Sequence, residues 1–213
     1  MSTKKYKYFI FDMDGTLEDT RDAVIGAYRE MAKRRGTGEY SEQYLNDHCF
    51  IMAPKPGLAA IGITENVTEE VELLCRLAYE NNDKVKVYPG VKELLHALKE
   101  KGAVLAISTG RDPQVFGFDS QFEDVLPLFS EIMHSEYAPR PKPYPDALLM
   151  FFDKYGARPE KVLFIGDAAS DYGAASAAGV DFALAGWSDC ADRSLPAQYI
   201  PSAPHELLTF AEE

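Results

Sequence analysis

The chain has 213 residues, 46% of them hydrophobic, and a formal net charge of -12. That is apolar material for one packed domain, or for a core domain with a smaller insertion, and it excludes a disordered chain. The acidic balance argues against nucleic acid or an anionic membrane surface as a partner, and an anionic substrate would need a local cation or metal.

The first five residues lead into only a brief apolar run, too short for a signal segment or a membrane span. The three cysteines, Cys49, Cys75 and Cys190, show no metal-ligand spacing and read as thiols in a reducing compartment. A cytoplasmic protein is expected.

Tyr8, Phe9, Ile10 and Phe11 form a short apolar, aromatic-rich run that reads as a buried strand. The run breaks at Asp12 and Asp14, and Gly15 permits a turn. Carboxylates at i and i+2 of an extended backbone point to the same side, so both can face one pocket. Paired anions at the mouth of a buried strand are costly unless a cation compensates them, and a divalent metal preferring oxygen ligands is the obvious partner. The arrangement suits a nucleophile at Asp12 and an acid-base carboxylate at Asp14. Asp and Gly are also ordinary turn residues, so the rest of the chain has to decide.

Residues 19–35 have helical spacing in Ala23, Ala27 and Met31, and Gly36 and Gly38 stop the helix. Residues 41–50 read as a second helix. Pro54, Pro56 and Gly57 predict a break across 52–57, followed by a short helix over 58–61. Residues 64–81 carry Val71, Leu74, Leu77 and Ala78 at helical spacing. With no strand recognised from 19 to 82, this stretch reads as a separate helical unit. Residues 84–88 are short and alternating, and Pro89-Gly90 marks a joint. A helix over 91–101 and a buried strand over 103–107 follow, the strand ending in Ser108-Thr109-Gly110.

Residues 112–138 show no clear pattern, and Phe116, Phe118, Phe122 and Phe129 read as packing. A proline-stiffened loop, Arg140-Pro141-Lys142-Pro143-Tyr144-Pro145, leads to a helix over 146–155. A strand over 161–165 closes in Gly166-Asp167, and a small-residue helix over 168–178 follows. A strand over 181–184 and a terminal helix over 204–210 complete the chain. The expected fold is α/β, a Rossmann-like parallel sheet core with helices on both faces and an inserted helical domain. The core takes 1–16 and 87–213, and the insertion takes 17–86.

Three predicted strands end in polar residues: Asp12 and Asp14, Ser108 and Thr109, and Asp167. Ligands of an open parallel sheet sit at the carboxyl ends of its strands, so these groups can converge. Asp167 and Asp171 share a helix face and make a plausible second half of an oxygen-ligand metal site. Lys142 adds a fixed positive charge, and Thr109 and nearby amides add donors. Carboxylates, a metal, a cation and a hydroxyl together suit phosphoryl transfer.

The order of these motifs resembles the haloacid dehalogenase-like hydrolase superfamily, and within it the phosphoglycolate phosphatase-like branch. The matching stretches are Asp12-Met13-Asp14-Gly15-Thr16-Leu17, Ile107-Ser108-Thr109-Gly110, Lys142-Pro143-Tyr144-Pro145 and Gly166-Asp167 through Asp171. Tyr88-Pro89-Gly90-Val91 and Ala177-Ala178-Gly179-Val180 also fit the branch.

The resemblance implies an aspartyl-phosphate on Asp12, with Asp14 as acid and then base. It implies magnesium (Mg2+) held by Asp12, the Asp14 carbonyl and Asp167, with Asp171 completing the acidic site or orienting Lys142. Thr109 (or Ser108) and the Gly110 region, with Lys142, would hold the phosphoryl oxygens of a small phosphorylated metabolite. The helical insertion would be a cap that selects the substrate.

The chain departs from the branch at Thr109-Gly110-Arg111, where Thr-Asn is frequent, so the contacts near Gly110 and Arg111 are left open and Arg111 stands as a candidate substrate contact. The enzymatic rival is a sugar phosphomutase, and the rival from another class is a binding or regulatory protein on the same fold. Monomer and homodimer both remain open.

Lys55, beside two prolines in an acidic chain, is the candidate cap contact to the part of the substrate remote from phosphorus. Lys55→Ala should then lower kcat/KM for the native metabolite well beyond its effect on p-nitrophenyl phosphate, and equal effects on both would remove it from the site.

Overall fold

The computed structural model describes residues 4–50, 52, 54–111 and 121–212. The chain divides into two units, one of Met1–Asp19 with Val87–Glu213 and one of Thr20–Lys86.

The first unit is built on a five-stranded sheet in the order β5-β4-β1-β6-β7, with every ladder parallel. Its strands are β1 (Tyr8–Phe11), β4 (Val104–Ser108), β5 (Phe129–Met133), β6 (Val162–Gly166) and β7 (Asp181–Leu184). All four residues of β1 are buried because the strand is central and covered on both faces. Alternation sends Phe9 and Phe11 to one face with Leu105, Ile107, Leu163 and Ile165. Helix α5 (Val91–Glu100) covers that face with Val91, Leu94, Leu95 and Leu98, joined by Leu207 of a terminal 3-10 helix (Pro204–Phe210).

Tyr8 and Ile10 face the other way with Val162, Phe164, Phe182 and Leu184. Helices α6 (Asp146–Tyr155) and α7 (Ala169–Ala178) close that side with Leu148, Phe151, Ala174, Ala175 and Ala178. Both predicted core layers are therefore present.

Register decides what the sheet presents. Phe11 is level with Ile107 on one side and with Ile165 on the other. The residues after each, Asp12, Ser108 and Gly166-Asp167, consequently emerge side by side at the carboxyl edge. The chain runs from β1 to β4 and β5 in one direction and returns to β6 and β7 in the other, so the strand order reverses at this point.

The edge strand β5 has no counterpart in the sequence reading. Its residues Phe129-Ser130-Glu131-Ile132-Met133 are mostly half-exposed, and Glu131 pairs with Lys154, so it lacks the apolar run of a central strand. Of the aromatics read as packing, Phe122 is fully buried, its ring tilted against that of Phe129 with centroids 6.0 Å apart. Phe116 and Phe118 lie outside the described residues.

The second unit contains α1 (Arg21–Arg35), α2 (Glu42–Leu45), α3 (Pro54–Ala60) and α4 (Val67–Glu80). It has a core of its own, with Tyr28 and Met31 of α1, Leu45, Leu58, and Leu74 and Leu77 of α4. Ser41 caps α2 by accepting from the Tyr44 amide, and the helix continues through a π turn, Asn46–Phe50.

Two boundaries differ from the sequence reading. Pro54, Lys55, Pro56 and Gly57 begin α3 instead of breaking the chain. First-turn amides have no carbonyl partner inside a helix, so prolines there forfeit no hydrogen bond. Asp19 does not start α1; with Glu18 it forms β2 (Glu18–Asp19), which pairs with β3 (Lys86–Val87).

Phe9 is fully buried in the α5 layer. Phe9→Ala should cost about 3–5 kcal/mol of unfolding free energy in urea titration, because truncation leaves a cavity the sheet cannot collapse into.

Candidate active site

The ladder carries Asp12 past the end of β1, its amide donating to the Ile165 carbonyl at 2.8 Å. The chain then turns tightly. The amides of Thr16, Leu17 and Glu18 all donate to the Met13 carbonyl, and the Gly15 amide donates to the Glu18 carbonyl at 2.7 Å. Gly15 has φ +80, and a Cβ there would stand 2.3 Å from Oδ2 of Asp167. The turn thus needs glycine both for its backbone and to leave room for a carboxylate from β6.

Beyond β4, the Thr109 amide donates to the Met133 carbonyl at 2.9 Å, and the Thr109 hydroxyl accepts from the Arg111 amide at 3.1 Å. Beyond β6, Asp171 reaches back to the start of α7. Its Oδ2 accepts from the amides of Asp167 (3.3 Å) and Ala168 (3.1 Å), which satisfies orphan donors of the helix N-terminus.

Lys142 joins these strand ends. Its Nζ donates to Asp12 Oδ1 at 2.6 Å, to Asp171 Oδ1 at 2.6 Å and to the Ser108 carbonyl at 3.0 Å. Those contacts use all three ammonium donors. The loop bearing Lys142 lies on α7 at Gly173, where a Cβ would stand 2.6 Å from Cβ of Pro143.

The electrostatics are those of crowded acids around one cation. Burial, then the Asp171 charge, pushes the Asp12 carboxyl up to about 7 although Lys142 opposes both. Burial and the charges of Asp12 and Asp171 also raise Asp167. Burial alone would lower Lys142, but its two carboxylate partners hold it above the ordinary lysine value.

Asp12, Asp167 and Asp171 offer carboxylate oxygens within 4.8 Å of one another. Three buried acids face one ammonium, and the donors are all oxygen, so a hard divalent cation fits both the charge and the ligand set.

The remaining expected residues fall in different places. Ser108 and Thr109 are buried at the end of β4, while Gly110 is exposed. The Asp14 carboxylate is outside the three-acid cluster; Arg111 holds it through Nε and Nη2, each at 2.9 Å. Lys55 is exposed near the start of α3 in the helical unit.

Two neighbours of the site went unrecognised in the sequence. Glu18, fully buried, accepts from Arg111 Nη2 at 3.0 Å. Trp187 donates its indole N–H to the Thr16 carbonyl at 2.9 Å and so braces the turn. Neither sits in a local pattern; only the four-residue offset from Asp14 to Glu18 hints at a shared side.

Residues 9–185 match the family model of haloacid dehalogenase-like hydrolases, and the chain belongs to that family. A phosphoglycolate phosphatase of Haemophilus influenzae (strain 86-028NP) is 36% identical over 193 residues, covering 82% of this chain and 83% of the relative. A phosphoglycolate phosphatase of Aquifex aeolicus is 28% identical, with 97% of each chain covered. A solved structure from Lactobacillus plantarum superposes with a TM-score of 0.88 at 25% identity, covering 97% of this chain and 99% of that one.

The close seat of Pro143 on α7 can be tested directly. Gly173→Ala should cost about 1–3 kcal/mol in urea titration by overpacking this contact, whereas Ser176→Ala, exposed on the same helix, should stay within about 0.5 kcal/mol.

Proposed function

We propose that the chain is a magnesium-dependent phosphomonoesterase that hydrolyses a small phosphorylated metabolite of the phosphoglycolate type through an aspartyl-phosphate. The observation that carries the proposal is the meeting of Asp12, Lys142, Asp167 and Asp171 at the carboxyl edge of the sheet, with Lys142 Nζ 2.6 Å from the Asp12 carboxylate. The hydrolase family and the phosphoglycolate phosphatases among the relatives supply the reaction class.

Asp12 is the nucleophile. One of its carboxylate oxygens bonds to phosphorus as the ester oxygen departs with the bond electrons, and Asp14 gives that oxygen its proton. Asp14, now ionised, takes a proton from water; the water oxygen bonds to phosphorus, the Asp12–phosphorus bond breaks, and inorganic phosphate leaves. The Thr109 hydroxyl donates to the phosphoryl oxygens, with Ser108 as the neighbouring hydroxyl, and Lys142 supplies positive charge beside them, turning a donor from its present partners when phosphate binds. Asp12, the Asp14 carbonyl and Asp167 would hold the cation, Asp171 completing the acidic shell. When bound, magnesium supplies positive charge against the carboxylates and the phosphoryl oxygens.

Among the described residues no helix is long and apolar enough to cross a membrane. A cytoplasmic enzyme acting on a diffusible metabolite is the proposed setting. The unit Thr20–Lys86 is proposed as a cap that selects the leaving group.

Asp12→Asn should lower turnover of p-nitrophenyl phosphate by at least about three orders of magnitude with the fold retained. Chelation should silence the wild type, and added magnesium should restore it. Near-normal turnover in Asp12→Asn, or full activity in chelator, would overturn the mechanism. A screen of phosphorylated metabolites, scored by inorganic phosphate release against isomer formation, identifies the substrate and separates a hydrolase from a phosphomutase.

A further inference from the structure

Arg111 follows directly on the strand end that carries Thr109, and its backbone is pinned on both sides. Its amide donates to the Thr109 hydroxyl at 3.1 Å, and its carbonyl accepts from the Ser135 amide at 3.0 Å. From that fixed base the guanidinium crosses to the turn after β1. Nε and Nη2 grip Oδ2 and Oδ1 of Asp14, each at 2.9 Å, in a two-point fork. Nη2 also donates to Glu18 Oε2 at 3.0 Å.

Asp14 and Glu18 are bridge partners across the turn, so two like charges are set side by side. The Glu18 side chain is fully buried, whereas Asp14 keeps 37% of its side chain exposed although both oxygens are engaged. The guanidinium therefore has a buried anchor on one side and a solvent-facing carboxylate on the other.

We infer that Arg111 is a positioning residue for Asp14: anchored on Glu18, it fixes the rotation of the Asp14 carboxylate, whose solvent-facing side is turned to the leaving group. The inference rests on the acid-base role proposed for Asp14. Two hydrogen bonds, one to each oxygen, stop rotation about the Cβ–Cγ bond, which a single contact would leave free. The plane of the guanidinium is set by Glu18, and its base by Thr109 and Ser135. The phosphate-binding strand end and the proton donor are thus tied together through one side chain. A lysine in its place keeps a cation beside Glu18 but cannot form the fork.

The test compares two esters whose leaving groups differ in their need for a proton. p-Nitrophenolate departs without one, whereas the alkoxide of glycerol 2-phosphate does not. The quantity read is kcat/KM, which covers departure of the leaving group and not later hydrolysis of the aspartyl-phosphate. Arg111→Lys should lower kcat/KM for glycerol 2-phosphate by about 10- to 100-fold and for p-nitrophenyl phosphate by less than about 3-fold. Inhibition by inorganic phosphate should stay within about 2-fold. Glu18→Gln should act in the same direction more weakly, and it carries the same test should Arg111→Lys fail to fold.

Equal losses on both esters would overturn the inference in favour of a merely structural role. Weakened phosphate inhibition would overturn it in favour of direct substrate binding by Arg111. Asp14→Asn separates the two levels. If it shows the ester-selective loss and Arg111→Lys does not, only the positioning role falls. If Asp14→Asn shows no such loss, the acid-base reading of Asp14 falls and the inference falls with it.

Discussion

The site depends on one ammonium group held between carboxylates. Lys142 joins Asp12 at the end of β1, Asp171 on α7 and the Ser108 carbonyl at the end of β4. The two carboxylates are buried, and lost hydration and the neighbouring Asp171 charge favour protonation of Asp12, which the Lys142 ammonium opposes. A protonated carboxyl is a poor nucleophile, so the interaction that keeps the fold tolerable also keeps the proposed chemistry available.

That dependence spreads into features that look unrelated in the chain. Gly173 is small so that Pro143 can lie on α7 and aim Lys142 inward. Asp171 spends one oxygen on the helix amides and the other on Lys142, which fixes its carboxylate by two independent constraints. Gly15 leaves space for Asp167, whose other oxygen accepts from the Thr16 hydroxyl. Each element places one group, and each group is oriented by a group from another element.

The acidic site has two charge systems, divided by counter-ion. Asp12 and Asp171 pair with Lys142 and, with Asp167, fit a divalent cation, whereas Asp14 and Glu18 share Arg111. With a separate counter-ion, the Asp14 carboxylate stays outside the three-acid cluster although it is only two residues from Asp12. In the proposed reaction that separation leaves the Asp14 carboxylate clear of the cation-binding oxygens and facing the leaving group.

Local chemistry determined much of this in the sequence. The aromatic run of β1, the small-residue helix α7 and the acid-bearing strand ends follow from periodicity and turn residues, which act over a few positions. The strand ends, the proline-stiffened loop and the start of α7 carry the family motif, so Asp12, Lys142, Asp167 and Asp171 could be named before any fold was in hand.

What needed the tertiary structure had no local signature. Strand β5 is an edge, half-exposed and interrupted by Glu131, so only its ladder to β4 identifies it. Pro54 and Pro56 look like helix breakers until their place in a first turn is known. Arg111 could be suspected but not assigned, because its partners Asp14 and Glu18 lie more than ninety residues away in the chain. A sequence states which charges are present; which charge faces which is decided by the parallel register that levels the ends of β1, β4 and β6.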